Sequence, residues 1–222
     1  RVGPALLWGL AGPAALVLVA LGLGKWALSQ PLAEPRGSLK IALVQPAIPQ
    51  TVLWNVNDPV SQSNRFEHMM DLSDWAVAKE PDLLVWPEAS LPPFWVLNPT
   101  NVIRRMEQLE KVIAEQSVWR VWGADTATNN VPYNSAVLVP PEDSFLRGLE
   151  KMEWPNYAKR HLVMFGEYVP FSEQLPFLKK LAPVGNFGRG GGEVVFDMGK
   201  AKASVIICFE DVVPKLARLA AT

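Results

Sequence analysis

Residues 203–213 read ASVIICFEDVV. An apolar, β-branched run ends on the single cysteine of the chain, Cys208, with Glu210 and Asp211 directly behind it. Such a run is expected to be a buried strand that delivers the thiol at its end. The two acids pose a problem, because a nearby negative charge disfavours a thiolate. Cys208 is therefore either an inert small hydrophobe, the common state of a cysteine in apolar surroundings, or a nucleophile activated from elsewhere in the chain.

Working outward, the same texture recurs. Residues 39–45 (LKIALVQ), 82–88 (DLLVWPE), 118–125 (VWRVWGAD) and 134–140 (NSAVLVP) read as further buried strands. A Gly-rich loop, residues 185–199 (GNFGRGGGEVVFDMG), leads into another. Between them, residues 64–80 space Phe66, Met69, Met70, Leu72, Trp75 and Ala76 at helical intervals, and Pro81 stops the helix. Residues 102–116 read as a second helix. Helices alternating with apolar strands predict an α/β domain whose sheets are covered on their faces.

Chemistry gathers where strands end, the usual place for residues that a rigid sheet aims. Residues 83–90 (LLVWPEAS) put Glu88 straight after an apolar strand. Most carboxylates are simply solvated, but this one is a candidate base. Residues 156–171 (NYAKRHLVMFGEYVPF) place Lys159, Arg160, His161 and Glu167 among aromatics. Arg160 reads as solvated, and a lone His beside apolar residues as a structural hydrogen-bonder. Lys159 is a candidate oxyanion donor that would also lower the pKa of a nearby thiol. No GxSxG elbow is present, and the only histidines are His68 and His161. A Glu–Lys–Cys set needs neither, and supplies a base, an oxyanion donor and a nucleophile.

Composition narrows the field. Lys+Arg is 21 and Asp+Glu is 22, so no basic face is expected and nucleic acid is not an expected partner. One cysteine excludes an internal disulfide framework and a multi-cysteine metal site. Residues 1–28 form an apolar stretch whose charges are Arg1 and Lys25, with Trp8 and Trp26 towards its two ends. It is long enough for a transmembrane helix, which needs about 20 apolar residues, and longer than a signal-peptide core. Residues 29–38 read as a polar, Pro-containing linker, and residues 39–222 as the soluble domain.

The ordered set WPE, YAKRHLVMFGEYVPF and ICFE closely resembles the carbon–nitrogen hydrolase (nitrilase) superfamily. KRHLVMFGEYVPF, LKIALVQPAIPQ, PYNSAVLV and GNFGRG resemble its apolipoprotein N-acyltransferase branch. The resemblance implies an α-β-β-α sandwich, here incomplete at its C-terminus, preceded by a transmembrane helix. It implies Glu88 as base, Lys159 as catalytic lysine and Cys208 as nucleophile, with Glu167 and Glu210 as accessory acids. It further implies a fatty acyl chain moved from a phospholipid, through a Cys208 thioester, to the lipidated N-terminal cysteine of an apolipoprotein. The expected setting is the bacterial inner membrane, with the catalytic domain on the periplasmic side and neither metal nor cofactor. A membrane-tethered, nitrilase-type amidase acting on a small amide is the alternative.

Two departures from the branch stand out: Phe209 where Tyr is frequent and Met164 where Pro is common. The chain begins at Arg1 and ends in PKLARLAAT, which reads as the start of an amphipathic helix. Truncation at both ends is therefore expected, and with it a chain that holds the three residues without being a competent enzyme alone.

Overall fold

A computed structural model of the chain describes residues 4–31, 37–48, 59–90, 99–143, 154–172, 174–175, 177–178 and 186–221. It divides into two compact units, Arg1–Ser38 and Leu39–Thr222. The core of the expected linker, residues 32–36, lies outside the described residues.

The first unit holds helix α1 (Pro4–Ser29). Its window Ala11–Ser29 has a mean hydropathy of 1.6, which makes it long and apolar enough to cross a membrane. At 1.5 Å per residue, α1 is about 39 Å long.

The second unit is built on a five-stranded sheet. Its strands are β1 (Ile41–Leu43), β2 (Leu83–Val85), β3 (Trp119–Thr128), β4 (Val131–Val139) and β5 (Asn156–Ala158), in that spatial order. β1, β2 and β3 are parallel, and β3–β4–β5 run antiparallel. The β3–β4 hairpin turns on Asn129 and Asn130, both at positive φ (51° and 62°), the two-residue turn that matches strand twist. The parallel pairs need crossovers, which α2 (Pro59–Val77) and α3 (Pro99–Gln116) supply.

These helices bury one face of the sheet. Phe66, Met69, Met70, Ser73 and Val77 form the buried stripe of α2, and Leu109 and Ile113 that of α3. They close on Trp86 and Trp122, whose rings stack at 5.0 Å. Each such aliphatic side chain contributes about 1.5–3 kcal/mol by leaving water. Trp86 also satisfies its indole N–H, donating to Ser73 Oγ at 2.9 Å. On the opposite face, Leu83, Val121, Ala136, Leu138 and Tyr157 pack against Phe196, Met198 and Ile207. Phe196 belongs to a second, two-stranded sheet of β6 (Val195–Asp197) and β7 (Lys202–Ser204). After β7 comes a 3-10 turn (Cys208–Val212), then α4 (Pro214–Ala220). The layers are thus helix, sheet and sheet. The seven residues of α4, none of them buried, are what the described residues hold of an outer helical layer.

Three expectations are corrected. β1 is not a buried strand: Ile41 is 50% and Leu43 75% exposed, because among the described residues it stands at the sheet edge with a partner on one side. The strand expected to run on to Cys208 stops at Ser204, because the β6 partner ends its register there. The first soluble helix starts earlier than read and ends at Val77, ahead of a turn in which Glu80 has φ of 52°.

Candidate active site

Glu88, Lys159 and Cys208 come from three separate loops and meet above the sheet. Glu88 follows β2, where the turn is pinned against β3. A Cβ on Gly123 would come within 2.7 Å of Glu88 Cα and closer still to Pro87 O, so only glycine lets the two segments lie together. Lys159 directly follows β5, and its backbone N–H donates to Asn134 O at 2.8 Å. Cys208 opens the 3-10 turn at φ of 53°, in the left-handed region that costs a non-glycine residue energy and is common at functional sites.

Lys159 is the hub. It is 1% exposed, and its Nζ lies 2.9 Å from Glu167 Oε1 and 3.4 Å from Glu88 Oε1. Burial alone would depress its pKa. The hydrogen bond to Glu167 and the charges of Glu88, Glu167 and Cys208 outweigh that and hold the ammonium above the ordinary lysine value. Burial pushes Glu167 the other way. The Val163 N–H at 2.8 Å, Asn134 Nδ2 at 2.9 Å and Lys159 overcome it and keep this carboxyl below the usual glutamate range.

Asn134 was not singled out in the sequence. Its Nδ2 donates to both Glu88 Oε1 and Glu167 Oε1, so one buried amide holds the two carboxylates side by side. The signal was there in principle: an Asn at the start of an otherwise apolar strand run must find partners when buried. Asp125, paired opposite Asn134 across the hairpin, has its carboxyl raised by desolvation and then by the charges of Glu88 and Glu167.

Cys208 is exposed. Its thiol is raised above the ordinary value by desolvation first and then by the Glu88 charge, with which it also hydrogen-bonds. Lys159 and the Phe209 N–H pull it down by less. The resting group is therefore a thiol at neutral pH, with the Glu88 carboxyl group within hydrogen-bond reach.

Glu210 does not face this pocket. It is fully buried, and its carboxylate accepts four hydrogen bonds: Arg160 N at 2.7 Å and His161 N at 2.9 Å on Oε1, Tyr157 OH at 2.9 Å and Ile207 N at 2.9 Å on Oε2. The Ile207 bond is a turn glutamate reaching back to the residue before the turn, half of a capping box. Glu210 thereby fastens the Lys159 loop to the Cys208 turn. Burial first, and then the bond to Glu210 and its charge, push the Tyr157 phenol upward. Asp211 is exposed. His161 stacks on Phe209, ring centroids 6.1 Å apart, and Arg160 pairs with Glu193 at 2.5 Å.

Residues 186–190 (NFGRG) form a strap over the same loops. Phe187 N–H donates to Glu167 O at 3.0 Å, Gly188 N–H to Pro132 O at 2.7 Å and Gly190 N–H to Lys159 O at 3.0 Å. A Cβ on Gly190 would overlap the Ala158 carbonyl, which accounts for glycine there. Among the described residues no group of His, Cys, Asp and Glu is arranged to hold a metal ion.

A family model described as carbon–nitrogen hydrolase matches residues 40–222. The apolipoprotein N-acyltransferase of Geobacter metallireducens is 34% identical over 206 residues, covering 91% of this chain and 37% of that protein. That of Bdellovibrio bacteriovorus is 35% identical over 162 residues, covering 67% and 28%. The chain spans about a third of the length of these curated relatives. Among solved structures, an amidase from Nesterenkonia sp. is 18% identical with a TM-score of 0.46, covering 87% of this chain and 64% of that one.

Proposed function

The chain belongs to the carbon–nitrogen hydrolase family, and we propose that it carries the catalytic residues of an apolipoprotein N-acyltransferase. The observation that carries this is the meeting of a base, a cation and a nucleophile, with Glu88 bonded to both Lys159 and the Cys208 thiol and the Lys159 charge acting on that thiol. The names of the relatives support the reaction class, and α1 supports a membrane setting.

In the first half-reaction Cys208 Sγ attacks the acyl-ester carbonyl of a phospholipid as Glu88 takes the thiol proton. The carbonyl oxygen becomes an oxyanion beside the Lys159 ammonium and the Phe209 N–H. Collapse expels the lyso-phospholipid alkoxide, which recovers the proton from Glu88, and a thioester remains. In the second half-reaction the α-amino group of a lipidated N-terminal cysteine attacks the thioester. Glu88 takes the amine proton and returns it to the departing Cys208 sulfur. Glu167 and Asn134 keep Lys159 and Glu88 in register throughout. On this reading the chemistry takes place on the periplasmic side of a bacterial inner membrane, and the apolar helix α1 supports the membrane setting.

The test supplies the protein, purified from its native membrane, with phospholipid and a diacylated lipopeptide bearing a free N-terminal amine. N-acylation of the peptide is expected. Hydrolysis of small amides without any acyl transfer would overturn the proposal in favour of a tethered amidase.

A further inference from the structure

The residues that follow Glu167, Tyr168 to Ser172, line a cavity of about 360 Å³. Leu162, Phe171 and Phe187 give it apolar walls, while Gln174, Asn186 and Arg189 give it a polar end. Arg189 is exposed, sits over the Tyr168 ring at 5.2 Å from its centroid, and forms no ion pair among the described residues. Neighbouring cations are engaged: Arg160 with Glu193, Lys159 with Glu167 and Glu88.

Its position ties it to the chemistry. Arg189 lies between Gly188 and Gly190 on the strap, whose backbone bonds run to Pro132 and to Lys159 itself. The cavity cation is thus held at a fixed offset from the proposed oxyanion donor. The charge balance calls for it. Glu88 and Glu167 both pair with Lys159, and Asp125 adds a third carboxyl group that feels the charges of the other two. An anionic acyl donor meets net repulsion there unless a cation receives its charge outside the acidic cluster. A guanidinium is the side chain best matched to phosphate oxygens, and apolar walls beside it suit the glycerol and first methylenes of a lipid.

We propose that this cavity binds the phosphate of the phospholipid acyl donor, with Arg189 as its principal ligand. The inference rests on the acyl-transfer reading and adds a specificity residue to it. Arg189 does not touch the reacting atoms; it selects donors that carry phosphate.

The experiment measures the rate at which Cys208 gains an acyl adduct in the membrane-purified protein. Donors are a phosphatidylethanolamine and a diacylglycerol of the same acyl composition in the same mixed micelles. In Arg189→Ala the phospholipid-to-diacylglycerol rate ratio is expected to fall about 10- to 100-fold, the worth of charge-assisted hydrogen bonds. Arg189→Lys restores part of it. An unchanged ratio, or an equal fall with both donors, overturns the assignment. Inorganic phosphate at millimolar concentration distinguishes the sources of the anion. Erasing the phospholipid preference of the wild type would mean a free-phosphate site and overturn the headgroup assignment; leaving it intact supports that assignment. No adduct from either donor in the wild type would instead bring down the acyl-transfer reading, and this inference with it.

Discussion

Replacing Glu210 by Gln changes one heavy atom yet strikes the join between two loops. The carboxylate accepts four hydrogen bonds, three of them from backbone N–H groups that cannot turn away. A glutamine keeps one acceptor oxygen. Its best pose points that oxygen at Arg160 and His161 and turns its amide towards Tyr157 and Ile207. Tyr157 can rotate its hydroxyl to accept, but the Ile207 N–H is left facing another donor. Losing a bond to a charged acceptor and burying an orphan N–H costs about 2–4 kcal/mol, part of it offset by no longer burying a charge. For a chain of this size that is a melting midpoint lower by roughly 5–15 °C. Thermal denaturation of wild type, Glu210→Gln and Asp211→Asn measures it, with the exposed Asp211 expected to change stability by about 0.5 kcal/mol or less. Because Ile207 adjoins Cys208 and Arg160 adjoins Lys159, thiol alkylation should become faster and less selective in Glu210→Gln. Equal melting of Glu210→Gln and wild type, or an equal cost for Asp211→Asn, would show that Glu210 is not the clamp described.

Glu88→Gln should move two readouts in opposite directions. Removing a charge that raises the Cys208 thiol speeds alkylation at pH 8, while loss of the base slows acylation by about 10²-fold or more; parallel changes would contradict a general-base role. In the wild type, alkylation should keep rising past pH 9 with no plateau near neutrality, since the thiol is held above its ordinary value. The Glu167 carboxyl is depressed on folding, so its stabilising contribution is present above the unfolded pKa and disappears as pH falls through the lower folded one. The stability gap between wild type and Glu167→Gln, followed by urea titration, should therefore narrow as pH is lowered below about 4. Lys159→Met should cost about 1–3 kcal/mol by taking the cation from the partly buried Glu167 and from Glu88, and abolish adduct formation, with no rescue by Arg, whose planar fork does not fit a 1%-exposed ammonium site.

Much of this was legible in the residues. Apolar runs gave β2, β3 and β4, helical spacing gave α2 and α3, and chemistry-bearing residues at strand ends gave Glu88 and Lys159. What stayed hidden is non-local. The exposure of β1 depends on where the sheet ends, which no local pattern states. The strand before Cys208 read as continuous because its residues are β-branched, yet its ladder lasts only as long as β6. Glu210 next to a thiol looked electrostatically wrong until its four donors, three of them about 50 residues away, showed where the carboxylate points. Asn134 was not singled out, because only the meeting of β2, β4 and the Glu167 loop gives it two carboxylates to hold.

Intact-mass spectrometry of the membrane-purified protein after incubation with phospholipid vesicles decides whether Cys208 is an acyl carrier. The wild type should gain the mass of one acyl chain, hydroxylamine should remove it, and Cys208→Ala should gain none. An unmodified wild type, or an adduct that persists in Cys208→Ala, would contradict the thioester on which the proposed reaction depends.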